Sequence, residues 1–157
     1  MRPPTPGGTW TRVTRRIAAD PSSTALLLAG PAALELWPGI TRVATLGDAD
    51  ERILVDAEIP QQRRSTAATV RVLPPRRTPT SYVTTFEWSG PSLPVTYGEL
   101  TLSYAPGRDS GPSTLAVLTL DSTELIDSLL SPPTIRSLAE AFLANLAELA
   151  ESRSSAA

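Results

Sequence analysis

The strongest constraint on this chain is an amphipathic stretch close to its C-terminus. From Pro132 to about Ser152, Ile135, Leu138, Ala139, Phe142, Leu146, Leu149 and Ala150 recur at helical spacing. At 100° per residue they occupy one arc of roughly 140°. Arg136, Glu140, Glu148 and Glu151 take the opposite side. A helix of that length is about 30 Å long, as long as a strand of about nine residues. One such element can cover a whole sheet face. Ser131 is placed to cap it, and Asp121, three residues before Glu124, reads as a capping box that opens a short lead-in helix.

The sixteen prolines mark out what that helix has to cover. Pro21, Pro31 and Pro132 stand at helix starts, where a missing N–H costs little. Pro38, Pro60, Pro74, Pro75, Pro79, Pro91, Pro94, Pro106 and Pro112 fall between apolar or alternating runs and punctuate loops. Thr9–Ala19 reads as a strand, followed by a helix that Asp20 caps and Gly30 stops, then a second short helix from Pro31 to about Leu36. Six further strands are expected near Thr41–Leu46, Arg52–Ile59, Ser65–Leu73, Thr80–Trp88, Thr96–Tyr104 and Ser113–Leu120. Their short connections favour antiparallel neighbours, because a parallel crossover needs a dozen residues or more. The expected fold class is α+β: a curved seven-stranded antiparallel sheet wrapped on the long C-terminal helix, with two short helices after the first strand. The expected domain runs from 9 to 152, with flexible termini at 1–8 and 153–157. Strand curvature beyond what one helix fills should leave a concave site between the two layers.

Composition narrows the chemistry. Cysteine and histidine are both absent, and all fourteen basic residues are arginine. That excludes disulfides, thiolate or histidine metal sites, Ser-His-Asp and Cys-His nucleophile arrangements, Schiff-base lysine chemistry and a P-loop lysine. Neither a cofactor nor a metal is expected. A formal net charge of −2 gives no electrostatic reason to expect nucleic acid or an anionic membrane. The first residues lack the apolar core of a signal peptide, and no apolar run is long enough to span a bilayer. The expected location is the cytoplasm.

Several segments resemble the START-like superfamily, also called the polyketide cyclase/dehydrase or SRPBCC group, whose helix-grip fold has this element order. Arg16-Ile17-Ala18-Ala19-Asp20-Pro21 is similar to that family's exit from strand one into its first helix. Leu34-Glu35-Leu36-Trp37-Pro38-Gly39-Ile40-Thr41-Arg42-Val43 is similar to its helix-two end and strand-two start. Gly98-Glu99-Leu100-Thr101-Leu102 and Gly111-Pro112-Ser113-Thr114-Leu115 resemble its last two strands. The resemblance covers nearly the whole chain and includes no catalytic motif. It implies a deep cavity for an apolar or aromatic small molecule. Since relatives include lipid carriers, hormone sensors, cyclases and chaperone activators, it does not fix the function.

Residue by residue, the expected ligand-lining set begins with Tyr82, Phe86 and Trp88 on one strand face, which they share with Thr84. Leu100, Leu102 and Tyr104 share a face of the next strand, and the helix adds Ile135, Leu138, Ala139 and Phe142. Each of these also fits a dry core; their clustering in a chain with only 5% aromatics favours a lined site. Ala139, small and central in the apolar arc, is expected to border empty space. Arg15 shares a face with Val13 and Ile17 and should point inward, where an unpaired guanidinium is costly. It must therefore pair with a carboxylate, reach the rim or meet a polar ligand group. Asn145, at the margin of the apolar arc, either hydrogen-bonds a ligand or faces water. Asp48, Asp50 and Glu51 read as a solvated turn, and Asp56 with Glu58 as the outer side of a strand. Arg63-Arg64 and Arg76-Arg77 read as loop charges that could also rim a site for an acidic ligand.

The leading expectation is binding of an apolar or aromatic, lipid- or polyketide-like molecule between sheet and helix. The first alternative is a cyclase or dehydratase in which Arg15 or Tyr82 polarises a carbonyl. The second is a protein-interaction module of the chaperone-activator kind. The ligand, any turnover and the oligomeric state are not legible in the sequence.

Overall fold

The computed structural model describes residues 8–28, 31–38, 40–45, 52–59, 64–73, 75–89, 95–105, 111–123 and 132–155. Strand β1 (Gly8–Ile17) leads to Asp20, whose extended backbone (φ −73°, ψ 155°) and carboxylate start helix α1 (Pro21–Leu26). The carboxylate accepts the Ser23 N–H at 2.7 Å and the hydroxyls of Ser22 and Ser23 at 2.7 and 2.8 Å. The Ser23 backbone bond first, then the two serine hydroxyls, hold the carboxyl below its ordinary value of 3.8. Pro21 in the first turn loses no hydrogen bond there. A 3-10 helix (Pro31–Leu36) follows, tighter than the α-helical turn a proline start suggests.

The rest of the chain before the last helix is antiparallel sheet: β2 (Ile40–Thr45), β3 (Arg52–Ile59), β4 (Arg64–Val72), β5 (Arg76–Arg77), β6 (Ser81–Ser89), β7 (Val95–Tyr104) and β8 (Thr114–Thr123). Seven strands lie in the order β1-β8-β7-β6-β4-β3-β2, so β1 and β2 form the two edges. The short β5 is an eighth strand where the sequence suggests a loop. β4 pairs with β6 as far as Val72 opposite Phe86, and the chain rejoins β6 with Arg76 opposite Val83 and Arg77 opposite Tyr82. Between them Pro74 and Pro75 have no N–H to give to a ladder, so the strand breaks and resumes.

Helix α2 (Pro132–Ser155) is the long C-terminal helix, and it continues to Ser155 rather than ending near Ser152. The reading of Asp121 as a helix cap is corrected. Asp121 lies inside β8, buried, opposite Trp10 of β1 and Tyr97 of β7. Both neighbouring strands extend to this end, and their pairing keeps residues 121–123 in the ladder. Ser131 and Glu124 lie outside the described residues.

Alternation fills the interior as its period requires. Ile17, Phe86, Leu100, Leu102, Leu118 and Leu120 from the sheet are fully buried, as are Phe142, Leu143 and Leu146 from α2. Leu28 and Leu34 close the end of this core beside the short helices. The Thr114 hydroxyl donates to the Ala19 carbonyl at 2.7 Å inside it, fastening β8 to the exit of β1. Among the described residues, Gly98 is a place of close approach: a Cβ there would stand 2.9 Å from Cδ2 of the buried Leu120, which would have to shift.

Candidate functional site

Among the described side chains of α2, the buried ones are Ala139, Phe142, Leu143, Leu146, Ala147 and Ala150, while Leu138 and Leu149 are half-buried. At 100° per residue, this arc is turned by roughly 50° from the one that Leu138 and Leu149 suggest. The turn follows from where the helix sits: it packs chiefly along β1 and also touches β8, α1 and the 3-10 helix. Two polar contacts tie it to β1 and to the residue just beyond it. Arg136 Nη1 donates to the Arg12 carbonyl at 3.3 Å, and Ala18 N–H donates to Glu151 Oε1 at 3.0 Å. A third holds its other flank, where Asn145 Nδ2 donates to the Leu36 carbonyl at 2.8 Å. Asn145 is therefore exposed and bonded to the 3-10 helix; it reaches across the surface of the protein rather than into the interior.

Beneath α2 three aromatic rings meet. Trp37 stacks on Phe142 with centroids 4.3 Å apart and planes 20° from parallel. Phe86 meets both edge-on, at 6.4 Å from Trp37 and 6.1 Å from Phe142. Offset stacking and edge contacts are the arrangements that ring quadrupoles favour. Of the expected lining residues, Phe86, Leu100, Leu102, Ala139 and Phe142 belong to this one buried cluster, and Tyr82 and Leu138 pack against it half-buried. The side chains of Trp88 and Ile135 lie outside the described residues. Trp37, absent from the expected set, joins the two layers. Its position after Leu34 and Leu36 was the available signal, but a tryptophan before Pro38-Gly39 reads as the end of an element rather than as a centre of packing.

One expectation is corrected, that for Tyr104, and the alternatives open for Arg15 narrow to the rim. Tyr104 follows the alternation of Leu100 and Leu102 but is 66% exposed, at the last residue of β7. Arg15 shares the parity of the buried Val13 and Ile17, yet it is exposed. β1 is an edge strand, and so long a side chain extends past the edge to keep its charge in water instead of losing its hydration inside. Arg15 lines an open groove of about 370 Å³ between β1 and α2, together with Arg12, Val13, Thr14, Arg136, Glu140 and Leu143. Among the described residues no group of histidine, cysteine or carboxylate side chains is placed to hold a metal ion. No described helix is long and apolar enough to cross a membrane.

Set against solved structures, the architecture is a known one. A START superfamily protein from Mycobacterium smegmatis is 24% identical, with a TM-score of 0.56 over 92% of this chain and 95% of that one. The chain has the START-like, helix-grip fold. A conserved protein from Geobacillus kaustophilus is 14% identical at a TM-score of 0.62, covering 92% of this chain and 95% of its own. Ara h 8.0201 is 11% identical at 0.55, covering 93% and 99%. No protein-family model matches the sequence. No curated protein matches it either. At these identities the START-like likeness is one of fold.

Proposed function

We propose that this START-like protein binds an apolar or aromatic small molecule between the sheet and α2, beside Trp37, Phe86 and Phe142. The observation that carries the reading is the meeting of these three rings under a helix that leans toward one edge of the sheet. The rings are buried against one another, so a flat apolar ligand would take its place by parting them, and half-buried Tyr82 places a phenol at the border of the same cluster. A polycyclic, polyketide-like molecule or a lipid chain fits that chemistry, and a cytoplasmic setting agrees with the sequence. A cyclase would call on Tyr82 rather than Arg15 to polarise a carbonyl in this place, since Arg15 stands at the surface.

The test is a titration with a neutral aromatic probe, naphthylmethanol, followed by tryptophan emission and thermal melting. Saturable quenching with a rise in melting temperature is expected, as for any ligand selective for the folded state. In Trp37→Phe the quenching should largely disappear while the rise in melting temperature persists. Unchanged emission and melting up to the solubility of the probe overturn the proposal.

A further inference from the structure

We infer that the 3-10 helix is a gate over the three rings: it swings off α2 and carries Trp37 with it, and Asn145 is the latch that holds it shut. The gate rests on the ligand reading above, yet its opening is a property of the free protein. Two of the rings are fixed by their elements. Phe86 stands within β6, between Val72 of β4 and Gly98 of β7 in the ladder. Phe142 stands within the 24 residues of α2, tied near its two ends to Arg12 and Ala18 through Arg136 and Glu151. Trp37 belongs to neither layer. It follows a 3-10 helix of six residues, and its N–H donates to the Leu34 carbonyl at 3.2 Å. Such helices have poorer hydrogen-bond geometry than α-helices, so they rearrange more easily. The 3-10 helix packs on β2, an edge strand, so an outward swing leaves the middle of the sheet intact.

Asn145 is placed as a latch by its bond and by its exposure. Its Nδ2 donates at 2.8 Å to the carbonyl of Leu36, the residue before Trp37, at the end of a helix where carbonyls lack partners of their own. Asparagine is a poorer helix former than alanine, so at an exposed position inside α2 it weakens the helix locally; what it adds is this contact with the gate. Because the bond is exposed, water competes for both groups and the latch yields readily. Closure is driven by the fully buried Leu34 and by the stacking of Trp37 on Phe142. With Trp37 swung out, the face of Phe142 that it covered is open to a flat ligand, which then keeps the gate unlatched.

The indole N–H of Trp37 is buried, so its exchange with water, read by nuclear magnetic resonance and assigned with Trp37→Phe, reports the opening. Asn145→Ala, and Asn145→Asp, which has no N–H to donate, should speed that exchange about threefold to tenfold. The backbone amides of β6 should keep their rates, since the opening is local. Asn145 is exposed, so neither variant threatens the fold. Naphthylmethanol should bind both variants more tightly by the same factor, through faster association, because apparent affinity for an open form scales with the fraction open. A residue that only stabilised the fold would give no such tightening. Unchanged exchange of the Trp37 indole in both variants overturns the gate, as does an acceleration shared equally by the amides of β6. Naphthylmethanol bound no more tightly by variants that open faster also overturns it, because the ligand then enters without displacing Trp37. Faster indole exchange in variants that, like the native protein, bind no naphthylmethanol upholds the gate and rejects the interior ligand site.

Discussion

Truncating Phe142 tests whether α2 is integral to the core or only rests on it. The ring is fully buried, stacked 4.3 Å from Trp37 and edge-on at 6.1 Å to Phe86, so Phe142→Ala removes both contacts and leaves a void beneath the helix. Phenylalanine-to-alanine changes in cores cost about 3–5 kcal/mol, the transfer of the ring plus the unfilled cavity. Each aromatic pair adds about 0.5–1.5 kcal/mol beyond its area, which places this site in the upper half of that range. For a chain of this size, 1 kcal/mol corresponds to about 2–4 °C, so a fall of about 8–20 °C in melting temperature is expected. Urea unfolding followed by far-ultraviolet circular dichroism gives the free energy, and the near-ultraviolet signal reports the Trp37 environment. Leu26→Ala is the control: Leu26 is 75% exposed, and its loss should stay within about 0.5 kcal/mol. A cost below about 1.5 kcal/mol for Phe142→Ala would show that the ring does not sit in a packed layer, and the argument for α2 as part of the core would fail with it.

Two further outcomes follow from local geometry. Asp20→Ala should cost about 0.5–2 kcal/mol by removing the cap of α1. The folded state holds the Asp20 carboxyl below its ordinary 3.8, so its contribution is present above that value and is lost as the pH falls through the lower folded value. The advantage of the native protein over Asp20→Asn in urea unfolding should therefore shrink on acidification and not on moving from pH 6 to pH 8. Gly98→Val would place its Cβ 2.9 Å from Cδ2 of Leu120 and should cost about 1–3 kcal/mol by overpacking. Adding Leu120→Val, which withdraws that methyl, should make the pair less destabilised than the sum of the singles, and simple additivity in thermal melts would show that the close approach is not the cause.

Local chemistry was enough to determine most of the elements, though not β5 nor the continuation of β8 through Asp121. A carboxylate before a proline starts α1, alternation of Thr84, Phe86, Leu100 and Leu102 sets which faces turn inward, and the apolar arc around Phe142 and Leu146 makes a single long helix. These are properties of neighbours along the chain, and each is decided within a few residues. Partners far apart in sequence were decided only by the tertiary structure. Periodicity shows that α2 has an apolar side, but packing along β1 turns that side so that Leu143 and Ala147 are buried and Leu149 is left half-covered. Parity puts Arg15 with Val13 and Ile17, but only the place of β1 at the sheet edge sends its charge outward into a groove shared with Arg136. Trp37 reads as the close of a turn until Phe86 and Phe142, dozens of residues away, are brought against its ring. A sequence pattern specifies which surface an element must bury, whereas the surface that buries it is chosen by the topology that brings distant segments together.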